Sequence, residues 1–186
     1  MFCIVIYSSF KTAKRQKRSV SVRVVGAAAL ALAVPAAGAR LSAGSASASL
    51  SVSASVINNC TISTAALAFG SYDPVVANAS SSLDATGTIT VACTKGATST
   101  LGLNLGGNAS GSTRRLTDGS GNYLTYEMYQ DSSRSTVWGN SGAALLTPAA
   151  APSKAARNFT VYGRIPSNQD VSAGSYTDSV TATVNF

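Results

Sequence analysis

A-S-A-S-L-S-V-S-A-S-V-I, residues 46–57, is the stretch on which the reading of this chain turns. Leu50, Val52, Ala54 and Val56 fall on every second position with serine between them, and a period of two sets them on one face of an extended strand. Side chains this small, backed by serine, build little core by themselves. The strand therefore has to add to a sheet, in its own molecule or in a neighbour. Two plainer readings stand beside that one: a flexible Ala/Ser linker, or the first strand of an ordinary sandwich.

Upstream, Lys11, Lys14, Arg15, Lys17, Arg18 and Arg23 form a basic run, followed by the apolar run V-V-G-A-A-A-L-A-L-A-V at 24–34 and by Pro35. This order reads as a secretory signal peptide over residues 1–39. Small residues suited to cleavage stand at Ala37-Gly38-Ala39, with Ala46-Ser47-Ala48 a later candidate. The basic run lies well behind Met1, which leaves open a start further downstream. An apolar run of this length falls short of the roughly 20 residues needed to cross a bilayer as a helix, so no transmembrane segment is expected.

Removal of 1–39 takes six of the fourteen Lys and Arg and none of the seven Asp and Glu. The remainder carries eight bases against seven acids, a balance near +1, so the basic character belongs to the export signal and nucleic-acid binding loses its support. Cys3 leaves with the signal. Cys60 and Cys93 remain, an even pair in an exported chain, and one disulfide is expected. A metal site is the rival, but there is no histidine in the chain and no C-x-x-C spacing.

Downstream the apolar pattern keeps returning to a period of two. Residues 61–72 read as a short strand and turn with Leu67, Phe69 and Tyr72 as anchors, and 85–94 alternate with Ile89, Val91 and Cys93 on one side. Residues 98–105 place Leu101, Leu103 and Leu105 in register before Gly106-Gly107. Arg114-Arg115 reads as a solvated pair at a strand entry, residues 118–122 as a turn, and 123–130 as a strand although its tyrosine spacing also suits a helix. A brief strand is expected at 136–139 around Trp138, a surface loop at 141–156 where Pro148 and Pro152 interrupt the alanines, and a strand at 159–165. Residues 176–186 should form a last strand with Tyr176, Asp178, Val180, Ala182, Val184 and Phe186 on one face. Short strands separated by Gly/Asn/Ser turns indicate an all-β sandwich.

Catalytic chemistry is hard to assemble from these residues. There is no histidine to act as a base, the acids are scattered, and no serine stands in a nucleophile elbow. No enzyme activity and no cofactor are expected. Asp118 to Asn122 resembles a calcium loop only faintly and lacks the later glutamate. The N-x-S/T triplets at Asn59, Asn78, Asn108 and Asn158 are what a chain rich in Asn, Ser and Thr contains by chance. The tyrosines and Trp138 are expected in the core rather than on a carbohydrate-binding face.

The order of these features resembles the spore coat protein U family, which includes the pilins of the archaic, Csu-type chaperone-usher pathway. The resemblance is carried by the alternating arm before Cys60, L-A-F-G-S-Y at 67–72, G-T-I-T-V-A-C-T at 87–94 and Y-L-T-Y-E-M-Y-Q-D at 123–131. V-W-G at 137–139, V-Y-G-R-I at 161–165, Gln169 and G-S-Y-T-D-S-V-T-A-T-V-N-F at 174–186 complete it. It implies an incomplete immunoglobulin-like sandwich, residues 58–186, completed by a donor strand lent by a periplasmic chaperone and then by the next subunit at an outer-membrane usher. Residues 40–57 would be the donor arm, with Leu50, Val52, Ala54 and Val56 filling pockets in a neighbour. Val180, Ala182, Val184 and Phe186 would border the groove and meet the chaperone. The implied product is a homo- or hetero-polymer of pilin subunits at the cell surface, a shaft or minor subunit serving adhesion and biofilm formation. A spore-coat-type structural protein, or a self-complete secreted sandwich that binds a glycan or a surface, is the alternative.

Overall fold

The computed structural model describes residues 43–186; the expected signal segment, 1–39, and residues 40–42 of the expected arm lie outside the described residues. The chain divides into two units, 1–50 and 51–186. Of the first, residues 43–50 are exposed and without regular structure. The second holds seven described strands: β1 (Cys60–Ala65), β2 (Leu83–Cys93), β3 (Thr100–Leu103), β4 (Arg114–Thr117), β5 (Tyr123–Tyr129), β6 (Arg157–Ile165) and β7 (Ala182–Asn185). The only described helix is a 3-10 turn at Gly142–Ala144, and none of the described residues forms a helix able to cross a membrane.

The strands form two antiparallel sheets, one of five in the order β1-β2-β6-β5-β4 and one of two, β3-β7. Alternation in the sequence selects the inner faces. Ile89, Val91 and Cys93 from β2, Leu124, Tyr126 and Met128 from β5, and Val161 and Ile165 from β6 meet Leu101 and Leu103 from β3 in one buried cluster. Trp138 completes it, fully buried, with its Nε1 donating to the Leu101 carbonyl at 3.0 Å. A second tie runs through Tyr72, whose hydroxyl donates to the Pro166 carbonyl and accepts from the Gln169 N–H, both at 3.0 Å.

Cys60 lies opposite Cys93 in the β1–β2 ladder, and the two are joined by a disulfide. The bond fastens an edge strand whose outer residues, from Ser63 to Ala65, bury little. Reduction is expected to destabilise the fold by roughly 3 to 4 kcal/mol on the chain-entropy account of a loop this long. Urea unfolding of oxidised and reduced protein measures it; coincident midpoints would contradict the assignment.

The structure corrects several local readings. Residues 136–139 form only a one-residue bridge, Val137 to Tyr129, flanked by the Gln130 N–H donating to the Thr136 carbonyl and the Trp138 N–H to the Met128 carbonyl; at Gly139 the chain leaves β5, its N–H donating to the Ala144 carbonyl. Only 100–103 of the 98–105 segment is a strand, and Leu105 lies beyond it. Of 176–186 only Ala182–Asn185 is a strand, although half-burial does alternate from Tyr176 to Val184. The stretch 141–156 is mostly loop, yet it buries Ala151 and exchanges backbone bonds between Leu146 and Leu101.

The largest correction concerns Arg114, read as solvated and found fully buried. Its Nε donates to the Asn104 carbonyl at 3.1 Å, and its Nη2 to the Leu103, Asn104 and Trp138 carbonyls at 3.0, 2.8 and 2.8 Å. Its Nη1 pairs with the Glu127 carboxylate. The Leu103, Asn104 and Trp138 carbonyls converge at this point, and a guanidinium, with five donors in a fixed plane, satisfies them together. Arg115 remains nearer the surface, 3.9 Å above the centre of the Tyr123 ring.

Candidate functional site

The two sheets are unequal, and the deficit shows as an open slot into the core. Among the described residues, β1 has β2 on one side and no strand on the other, and β7 has only β3. Between these two free edges lies a groove of about 320 Å³. One wall is Thr64 to Leu67 with Phe69, and the other runs from Asp178 to Val180 with Ala182. Its floor is the core itself: Ile89 on β2, Val161 on β6, Tyr126 and Met128 on β5, Leu103 on β3 and Leu116 on β4. A second cavity of about 710 Å³ continues it between Gly70–Tyr72 and Val171–Tyr176, with Leu67, Phe69 and Leu116 shared by both.

The wall at Leu67 and Phe69 depends on two glycines inside strands. A Cβ on Gly87 would stand 3.0 Å from the Leu67 Cβ, and one on Gly163 would stand 2.8 Å from both Leu67 Cδ atoms and from the Phe69 Cζ. Their absence lets residues 67–69 lie flat across β2 and β6. The signal was present in G-T-I-T-V and V-Y-G-R-I, since a glycine inside a strand pattern marks a close approach by another segment. What lay outside the reach of periodicity is that Leu116, Tyr126 and Met128, from two different strands, complete the floor.

The opposite wall is held by Asp178, the one acid on the inward-facing set of the last segment. Its Oδ1 accepts from the N–H groups of Gly107 at 2.9 Å and Asn108 at 3.1 Å and from the Asn108 side-chain amide at 3.0 Å; its Oδ2 accepts from the Tyr126 hydroxyl at 2.6 Å. Burial, reinforced by that carboxylate, pushes the Tyr126 phenol far above its ordinary value. Gly106 makes the clamp possible: its φ is +88°, and a Cβ there would lie 1.9 Å from the Asp178 Oδ2. Gly106→Ala is expected to cost at least about 1 to 2 kcal/mol from the left-handed backbone alone, more with the displaced carboxylate, read as a lowered unfolding midpoint. An unchanged midpoint would show that the clamp is not rigid.

Of the residues singled out for the groove edge, Val180 and Ala182 line the slot. Val184 is half-buried opposite Leu101, outside the groove lining. Phe186 is 57% exposed and does not line it either. The arm is open along its described length: Leu50, Val52 and Val56 are 87%, 86% and 84% exposed, and Ala54 is exposed with them. Residues 51–57 add no strand to the β-sandwich they precede.

Fold and site together define a class: an antiparallel β-sandwich with a groove into its core beside β1 and the segment leading into β7, preceded by an exposed segment of alternating apolar residues. The Spore Coat Protein U domain matches residues 46–183. Protein U of Myxococcus xanthus is 36% identical over 154 residues, covering 72% of this chain and 80% of Protein U. The chain belongs to the spore coat protein U domain family. Among solved structures, a chain of the chaperone–tip adhesion subunit pre-assembly complex from the archaic chaperone-usher Csu pili of Acinetobacter baumannii has a similar fold, with a TM-score of 0.53 and 24% identity. The match covers 70% of this chain and 40% of that one.

Proposed function

We propose that this protein is a structural subunit of a surface fibre of the chaperone-usher type, assembled by donor-strand complementation. The observation that carries the reading is the pairing, in one chain, of an open slot bounded by two free strand edges with an exposed arm whose apolar side chains alternate. In this reading residues 40–57 are the donor and 58–186 the acceptor. Leu50, Val52, Ala54 and Val56 enter the groove of a second subunit, and a periplasmic chaperone covers that groove beforehand, meeting the segment from Val180 to Phe186. An outer-membrane usher exchanges chaperone for arm, and the fibre at the cell surface serves adhesion and biofilm formation.

The energetics are consistent with strand addition. Full burial of Leu50, Val52 and Val56 contributes roughly 1.5 to 3 kcal/mol each, and Ala54 less, against the entropy of ordering the arm. Side chains alone give a modest affinity; the backbone bonds to both free edges supply the rest and align the register. Durability then resides in slow unfolding rather than in a large equilibrium constant.

The experiment is a denaturing gel of protein recovered from the cell surface, run unheated and boiled. A ladder of multimers that collapses to one band on boiling is the expected result. A single monomer band in both lanes, from protein soluble without a chaperone, would overturn the proposal in favour of a self-complete module.

A further inference from the structure

The root of the arm is held by one residue. Thr94 donates its N–H to the Asn59 carbonyl at 2.9 Å; its Oγ1 accepts from the Asn59 N–H at 3.1 Å and donates to the Ile57 carbonyl at 3.1 Å. These bonds continue the β1–β2 ladder one step past Cys60 and Cys93, so that residues 57–59 prolong the line of β1. The groove opens at the other end of that strand, where Thr64 and Ala65 line it. Five residue steps of about 3.3 Å put root and groove roughly 17 Å apart.

The arm is long enough to turn back into its own subunit's groove. Reversal through a three-residue loop at 57–59 would set Val56 opposite Cys60, Ala54 opposite Ile62 and Val52 opposite Thr64, along the free edge of β1. Residues directly opposite in an antiparallel pair point to the same face. This register therefore turns the arm's apolar side chains inward, the way Cys60 and Ile62 face, whereas a two-residue loop would turn them out. The local sequence permits such a loop, because asparagine tolerates the left-handed conformation that three-residue hairpins need at their last position, and Asn58-Asn59 stand there. Two of the three loop residues, Ile57 and Asn59, are those bonded to Thr94.

We propose that Thr94 is a positioning residue that keeps the arm out of its own subunit's groove and so reserves it for a second copy of the chain. The inference rests on the donor-strand reading above. With the Thr94 hydroxyl in place, reversal breaks two side-chain bonds and the backbone bond to Asn59; without it, the two side-chain bonds are gone and an intramolecular strand competes at high effective concentration with any neighbour.

The test uses full-length chain exported from cells with Ser53→Cys and Ser63→Cys introduced together, an exposed pair that lies opposite in the same register and outside the groove lining, so that an arm folded back in this register forms a second, intrachain disulfide. With Thr94 present, the multimer ladder is expected, without the intrachain link. Thr94→Val should reduce the ladder several-fold and yield monomers with the intrachain link, and Thr94→Ser should restore the ladder. A full ladder from Thr94→Val without the intrachain link would overturn the role of Thr94 while leaving strand exchange intact. Absence of a ladder even with Thr94 present would instead overturn the donor-strand reading and this inference with it. Should Thr94→Val fail to fold, judged by loss of the Cys60–Cys93 bond, Thr94→Ala, which removes the same hydroxyl without the second branch at Cβ, decides the matter. Intrachain-linked monomers from that chain support the proposal, and an undiminished ladder overturns it.

Discussion

A subunit carrying Val52→Asp should fold and reach its chaperone but enter no fibre. Val52 is 86% exposed in the free chain, so a carboxylate there disturbs nothing in the body: the β1–β2 ladder, the Cys60–Cys93 bond and the Arg114 network all lie elsewhere. In the groove of a neighbour the same carboxylate would face Ile89, Met128, Val161 and other apolar floor residues. The substitution forfeits roughly 1.5 to 3 kcal/mol of apolar burial and adds an unpaired charge, worth several kcal/mol after relaxation. Each 1.4 kcal/mol is a factor of ten in affinity, so a loss of at least about a thousandfold is expected. The unheated gel reads it as a missing ladder, and Ser53→Asp, one position along and facing away, should polymerise normally. Ordinary fibres from the Val52→Asp chain would show that this face of the arm is not what docks.

The second large effect is expected inside the body. Arg114→Met keeps an unbranched side chain but removes the donors that the Leu103, Asn104 and Trp138 carbonyls share, and it leaves Glu127 without its partner. Removing one member of a buried pair costs roughly 3 to 5 kcal/mol, and each buried carbonyl left unsatisfied adds to that. For a domain whose total stability is of order 5 to 15 kcal/mol, the variant should be largely unfolded or degraded in the cell. Urea unfolding of the chain with its groove filled by donor peptide would measure the loss. Replacing Arg114 and Glu127 together by apolar residues should recover only part, because the carbonyls remain unpaired. A stability within about 0.5 kcal/mol of the unsubstituted chain, the range of an ordinary surface change, would show that water replaces the guanidinium without cost.

These two residues mark where the sequence was legible. The alternation at 50–56 is visible in the sequence because a period of two is a local property, although the structure leaves that segment exposed and without a strand. The same reason made β2, β5 and β6 readable, while the cysteine count alone placed Cys60 and Cys93 as a pair before their ladder was known. Arg114 was misread because charge next to charge at a strand entry looks the same in sequence whether solvent or three carbonyls wait for it. Those carbonyls come from Leu103, Asn104 and Trp138, ten and more residues away along or against the chain, and only the fold brings them to one point. The run 176–186 shows the other limit: alternation was right for burial, but strand hydrogen bonding needs a partner, and β3 offers four residues.

By itself the sequence determined that the chain is an all-β sandwich with an alternating arm and one disulfide, since periodicity, turn residues and cysteine count act over neighbours along the chain. The family resemblance implied an incomplete sandwich, but only the tertiary structure decided where the slot runs and which side chains floor it. The groove depends on β1 and β7 not pairing with each other, and on Gly87 and Gly163 letting Leu67 and Phe69 lie against the sheet. Such gaps arise from the sum of long-range packing, which no local period encodes.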